Sequence, residues 1–166
     1  LTHVDRSIEF AGEFMLGKDL PVEEILAVQN MIRCTGINVK LESVKFQGPL
    51  ERLVGFALGT ADLLGQMAAT DYVDKLPILY SEFAEAARFS ADGKMKAGGF
   101  FSSAEDLMQK TPLFWENYVR NKINREFMGV YRFLNDPYPD GPNFYIDRIE
   151  SNIARLRREL AARSRT

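Results

Sequence analysis

Apolar side chains return every three or four residues along most of this chain, and no alternating run finds a second run to pair with. That periodicity is the strongest constraint on its fold. Residues 4–17 place Ile8, Ala11, Phe14 and Met15 on one helical face, and Gly17 is expected to end the segment in a left-handed cap. Pro21 suits a first helical turn. Glu23 and Glu24 stand near the positive helix end, and Ile25, Val28 and Ile32 carry a second helix to about Cys34, with Gly36 closing it.

Residues 38–47, NVKLESVKFQ, alternate weakly at Val39, Leu41 and Phe46. One short run without a partner makes a poor strand, and an ordered loop is expected. Pro49 opens a third helix with Glu51 in its first turn and a stripe of Leu53, Phe56, Ala57, Ala61, Leu64 and Ala68. A fourth runs from about Tyr72 through Leu76, Leu79, Tyr80 and Phe83 to Phe89, with Pro77 set to kink it.

Residues 90–99, SADGKMKAGG, read as a mobile glycine-rich link. Ser102 and Glu105 form a capping box for a helix that reaches Phe127, with Pro112 as its breaking point. Three prolines and a glycine make 135–143, NDPYPDGPN, a turn-rich loop. The last helix spans about Phe144 to Leu160 on Ile146, Ile149, Ile153 and Leu156. Six helical segments and no convincing strand define an all-α fold, expected as a single domain over 1–166.

Composition narrows the function classes. With 46% hydrophobic and 27% charged residues, the chain is an ordinary globular one, long enough to build a core without staples. Cys34 is its single cysteine, which rules out an internal disulfide and a thiolate metal cluster and suits a reducing, cytoplasmic setting. Apolar runs stop well short of the roughly 20 residues of a membrane span, so no membrane partner is expected. No leader pattern opens the chain. It starts on Leu1 rather than methionine, which reads as a fragment boundary.

Residues 1–100 hold ten basic and fourteen acidic groups, so nothing resembles the basic stripe of a nucleic-acid binder. The five arginines between Arg155 and Arg165 read as the solvated end of the last helix. No glycine-rich phosphate loop is present.

An all-α protein builds a metal site from side chains on neighbouring helices. The candidates here are the lone histidine, His3, just before the first helix, and Asp62 in the third. Taken singly, each reads first as an ordinary exposed residue. Gln66 sits one turn beyond Asp62, where an amide can orient a carboxylate or simply face water. Lys75 and Arg33 are candidate phosphate partners, with solvated side chains the commoner case. Cys34 reads as a small buried hydrophobe.

Three stretches carry a family resemblance: THVDRSIEFAGEFML at 2–16, ILAVQNMIRCT at 25–35, and ALGTADLLGQMAATDYVDKLPILYSEF at 57–83. Together, over roughly residues 2–89, they resemble the later part of an HD-domain metal-dependent phosphohydrolase. His3 matches the family's helix-opening histidine as HVDRS, with Val4 in place of the usual acid. Asp62 matches its last ligand aspartate as TADLLG, with Thr60 in place of the earlier acid. Thr35 matches the threonine that ends a helix.

The family's first histidine and its His-Asp doublet have no counterpart in this chain. Residues 90–166 map onto no part of the motif and stand as a helical extension. The resemblance implies a helical HD-like fold and hydrolysis of a phosphate ester. It also implies a divalent ion (Mn, Fe, Zn or Mg) that activates water, with His3 and Asp62 as the catalytic and metal-ligating residues.

Two ligands are fewer than a hydrolytic centre needs, so the chain is expected to be inactive alone. Its small-molecule partner would carry a phosphate, and self-association into a homo-oligomer is expected if apolar surface is left bare. The competing reading is a non-catalytic helical scaffold that binds an effector or another protein.

Overall fold

A computed structural model describes residues 3–37, 39–88 and 101–163. The side chains of 86–88 lie outside the description, as does the glycine-rich link expected at 90–99. The described residues form six α-helices: α1 (His3–Leu16), α2 (Val22–Arg33), α3 (Pro49–Met67), α4 (Tyr72–Arg88), α5 (Ala104–Leu113) and α6 (Phe144–Arg163). The all-α expectation holds. Among the described residues there is no strand, only isolated bridge residues at Asn135 and Asn143.

The chain divides into two compact units. One comprises 1–63 with 121–141, the other 64–120 with 142–166. In the first unit α1 and α2 form a hairpin. Gly12 lets the helices close up, since a Cβ there would lie 2.5 Å from Nε2 of Gln29. That amide donates to the Ile8 carbonyl at 3.1 Å. The left-handed residue of the turn is Asp19 (φ 58°), not Gly17 as expected. α1 stops at Leu16 and the chain reverses through Gly17–Leu20, so the positive φ falls inside the turn rather than at the helix end. An aspartate tolerates that region better than most residues.

Of the stretch 38–47, the described part, 39–47, makes no strand, as expected. It carries one 3-10 turn, Leu41–Ser43, and feeds α3. There Phe56 is buried between Phe46, edge-on at 6.0 Å, and Phe127 at 5.5 Å. On α3 the expected stripe divides along its length. Leu53, Ala57 and Ala61 are exposed, whereas Leu64 and Ala68, further along the same helical side, are buried, as is Phe56 at its edge.

The second unit packs Val73 and Leu76 of α4, Met108 of α5 and Leu156 of α6 into one cluster, with Tyr72, Leu79 and Leu160 against it. Ser103, not Ser102, caps α5. Its hydroxyl accepts from Asp106 N at 3.0 Å while Asp106 accepts from Ser102 N at 2.9 Å, so the box is shifted by one residue. Helical structure does not break at Pro112. It continues to Glu126 through two π-helical stretches, Phe114–Val119 and Lys122–Glu126. Past the proline the Phe114 N–H still reaches the Lys110 and Thr111 carbonyls, so the helix continues with one donor missing.

Loop 135–143 turns as expected, with cis Asp136–Pro137 and Tyr138–Pro139 bonds. A Cβ on Gly141 would lie 2.3 Å from the Pro137 nitrogen, so only glycine fits there. Of the late arginines, Arg155 forks onto Asp74 and also binds Glu159, and Arg157 pairs with Glu116. The Asp74 carboxyl is held below its usual range chiefly by the hydrogen bond from Arg155.

Candidate functional site

α3 carries Asp62, Thr60 and Gln66 and packs against the end of α2. Its buried side meets the end of α2 through two glycines one turn apart. A Cβ on Gly55 would lie 2.9 Å from the Cys34 sulfur, and one on Gly59 would lie 2.8 Å from the Cys34 carbonyl oxygen and 2.6 Å from Phe127. Glu51, expected only to favour the helix N-terminus, is buried instead. It accepts from Gln47 N at 2.6 Å and Asn30 Nδ2 at 2.9 Å, and so ties the incoming loop and α2 to α3.

Lys122 is the other buried charge of this unit. Its Nζ lies 3.3 Å from Glu126 Oε2 and 5.3 Å from the centre of the Phe127 ring. Nothing local in the sequence marks Lys122 as an interior residue.

Cys34 is buried, as expected, and burial pushes its thiol up to about 11. Glu51 pushes the same way and Lys122 opposes. A neutral, enclosed thiol is a packing group and not a nucleophile.

The residues singled out from the sequence fall as follows. His3 is the first residue of α1 and is exposed, its carbonyl accepting from Ser7 Oγ at 3.0 Å. Asp62 is half-buried and Gln66 is exposed. Thr60 is buried and its hydroxyl has no hydrogen-bond partner. Thr35 donates to the Ile32 carbonyl at 2.9 Å, a local contact at the end of α2. Arg33 donates to Asn30 Oδ1 at 3.2 Å, and Lys75 pairs with Asp71 at 2.8 Å, so both candidate phosphate partners have protein partners already.

Among the described residues no three His, Cys, Asp or Glu side chains gather to hold a metal ion. His3 and Asp62 thus share no such group with a third ligand among the described residues. An open cavity of about 390 Å³ lies at the start of α3, lined by Val44, Lys45, Phe46, Gly48, Pro49 and Arg52. It includes neither His3 nor Asp62. Asp62→Asn is expected to change unfolding free energy by less than about 1 kcal/mol, as at other partly exposed positions. Urea titration of the two chains checks this, and a larger loss would make the carboxylate a structural anchor.

The outer side of α3 is apolar and bare over its first three turns. Leu50, Leu53, Val54, Ala57, Leu58 and Ala61 are all exposed, Leu50 by 72%. They recur at helical intervals on the side opposite Glu51, Gly55, Phe56, Gly59 and Thr60, which are buried. A helix normally turns such a contiguous apolar row towards a packing partner. Only the inner side of this one is covered.

No single helix among the described residues is long and apolar enough to cross a membrane. Comparison with known proteins finds no matching family model, curated protein or solved structure.

Proposed function

We propose that this chain acts as a non-catalytic helical interaction domain, in the cytoplasm, with the outer side of α3 as its contact surface. The observation that carries this reading is the uninterrupted apolar stripe from Leu50 to Ala61, exposed on a helix whose opposite side is already packed. Contiguous apolar surface on a folded domain marks a contact site. Chemistry has little support beside it: the one thiol is neutral and enclosed, and His3 and Asp62 share no third ligand among the described residues.

A second reading rests on Asp62, half-buried at the margin of that stripe and in the same compact unit as His3. Together with the resemblance of 57–83 to HD-domain phosphohydrolases, it makes the two residues part of a phosphate-ester hydrolase site completed by ligands other than those described. One assay separates the readings. The chain is incubated with Mn, Zn or Mg and a generic phosphomonoester or phosphodiester. No metal-stimulated turnover is expected. Saturable turnover lost in Asp62→Ala would overturn the non-catalytic reading.

A further inference from the structure

We propose that the cavity at the start of α3 binds a small organic phosphate, with Lys45 and Arg52 as the two cationic contacts of its phosphate group. The inference is independent of the outer side of α3. At about 390 Å³ the cavity falls within the range of small-ligand sites, roughly 300–1,000 Å³. Its walls are of two kinds. Val44, Phe46 and Pro49 are apolar, and Lys45 and Arg52 bring positive charge. Gly48 adds no side chain to fill it, and a Cβ there would meet nothing within 4 Å.

Neither cation is answered from within the protein. Among the described residues the side chains of Lys45 and Arg52 take part in no ion pair or hydrogen bond, whereas Lys75, Lys110, Lys122, Arg155 and Arg157 each meet a carboxylate. Glu51, next to Arg52 in the chain, is buried, and Gln47 N and Asn30 Nδ2 hold its carboxylate. Two like charges on one cavity repel each other, and an anion held by both relieves that.

The walls are set in place without a ligand. Asn30 Nδ2 donates to the Lys45 carbonyl at 3.0 Å, Gln47 N to Glu51 at 2.6 Å, and Gln47 Nε2 to the Glu23 carbonyl at 3.3 Å. These bonds fasten residues 45–47 to α2 and α3. The Phe46 ring stands edge-on to the buried Phe56 at 6.0 Å. A wall already fixed loses little freedom on binding.

Charge selects the ligand. A phosphate monoester carries about −1.5 to −2 at neutral pH, close to what one lysine and one arginine neutralise. A carboxylate would leave one cation unanswered. Arginine can fork onto two phosphate oxygens, and lysine meets an oxygen as a point charge. The apolar walls suit an organic part that inorganic phosphate lacks.

Phenyl phosphate is the probe, titrated to about 10 mM into the full chain and followed by amide NMR shifts. A chelator keeps any metal-dependent turnover out of the reading. Saturable shifts centred on residues 44–52 are expected, with a Kd of about 1 mM for so small a molecule. Lys45→Met and Arg52→Met, both at exposed positions, should each weaken binding at least about fivefold, with helix content by circular dichroism unchanged. Added salt should weaken it too.

Two comparison ligands separate the parts of the proposal. Benzoate and inorganic phosphate should each bind at least about fivefold more weakly than phenyl phosphate. Benzoate of equal affinity would overturn the choice of a phosphate. Inorganic phosphate of equal affinity would overturn the organic ligand and leave an adventitious ion only. Shifts that fail to saturate, or an affinity that ignores both Lys45→Met and Arg52→Met, would overturn the site.

Discussion

Gly59→Ala is expected to destabilise the protein by about 2–4 kcal/mol, lowering its melting temperature by roughly 5–15 °C. The added methyl would sit 2.6 Å from Cζ of Phe127 and 2.8 Å from the carbonyl oxygen of Cys34. Neither neighbour can retreat cheaply. Phe127 is fully buried and packs at a tilt against Phe56, centroids 5.5 Å apart, and the carbonyl belongs to the residue that closes α2. Gly65, on the same helix, supplies the control: a Cβ there meets nothing within 4 Å. Gly65→Ala should raise stability by about 0.5–1 kcal/mol through helix propensity alone. Thermal and urea unfolding of both variants tests the pair. Equal effects would mean that the close approach at Gly59 is absent in solution.

That contrast also shows how far the sequence could be read. Spacing of apolar residues located all six helices, because each helix buries at least one apolar position on the expected face: Ile8 in α1, Ile25 in α2, Leu76 in α4, Leu156 in α6. Local chemistry was less decisive where two frames fit equally well. The run SSAED offers both Ser102 with Glu105 and Ser103 with Asp106, and only the true start of α5 at Ala104 selects the second.

Three-dimensional neighbours supplied the rest. Glu51 looked like an ordinary first-turn acid, yet its burial depends on Asn30, twenty-one residues away, and on the backbone of Gln47. Lys122 turns inward within a π-helical stretch that no sequence pattern announced. On α3, a list of apolar positions could not tell a covered face from a bare one. Which side meets α2 is decided by the glycines at 55 and 59, residues that hydrophobic spacing passes over.

Asn152→Leu is expected to cost about 1–3 kcal/mol, the loss of two hydrogen bonds that leaves the Met67 carbonyl without this donor, while the Ala69 carbonyl keeps the Tyr72 N–H at 3.1 Å. The last carbonyls of a helix have no donors within it. α3 ends at Met67, and Asn152, projecting from the middle of α6, donates its amide to the Met67 carbonyl at 2.8 Å and to the Ala69 carbonyl at 2.9 Å. The residue is 5% exposed, so water cannot replace it. Leucine fills nearly the same volume, and the measured loss then reports the carbonyls and not a cavity. Urea denaturation should show a lower midpoint with an unchanged slope.

Asn152→Asp sharpens the test. An ionised carboxylate facing two carbonyl oxygens is repelled, which raises its folded-state pKa above the unfolded value. Its penalty is therefore full at neutral pH and shrinks as pH falls through the folded pKa, where the protonated acid can donate one of the two bonds. The stability gap to the parent chain should narrow on acidification for Asn152→Asp and stay constant for Asn152→Leu. If Asn152→Leu unfolds within about 0.5 kcal/mol of the parent, the amide does not cap α3.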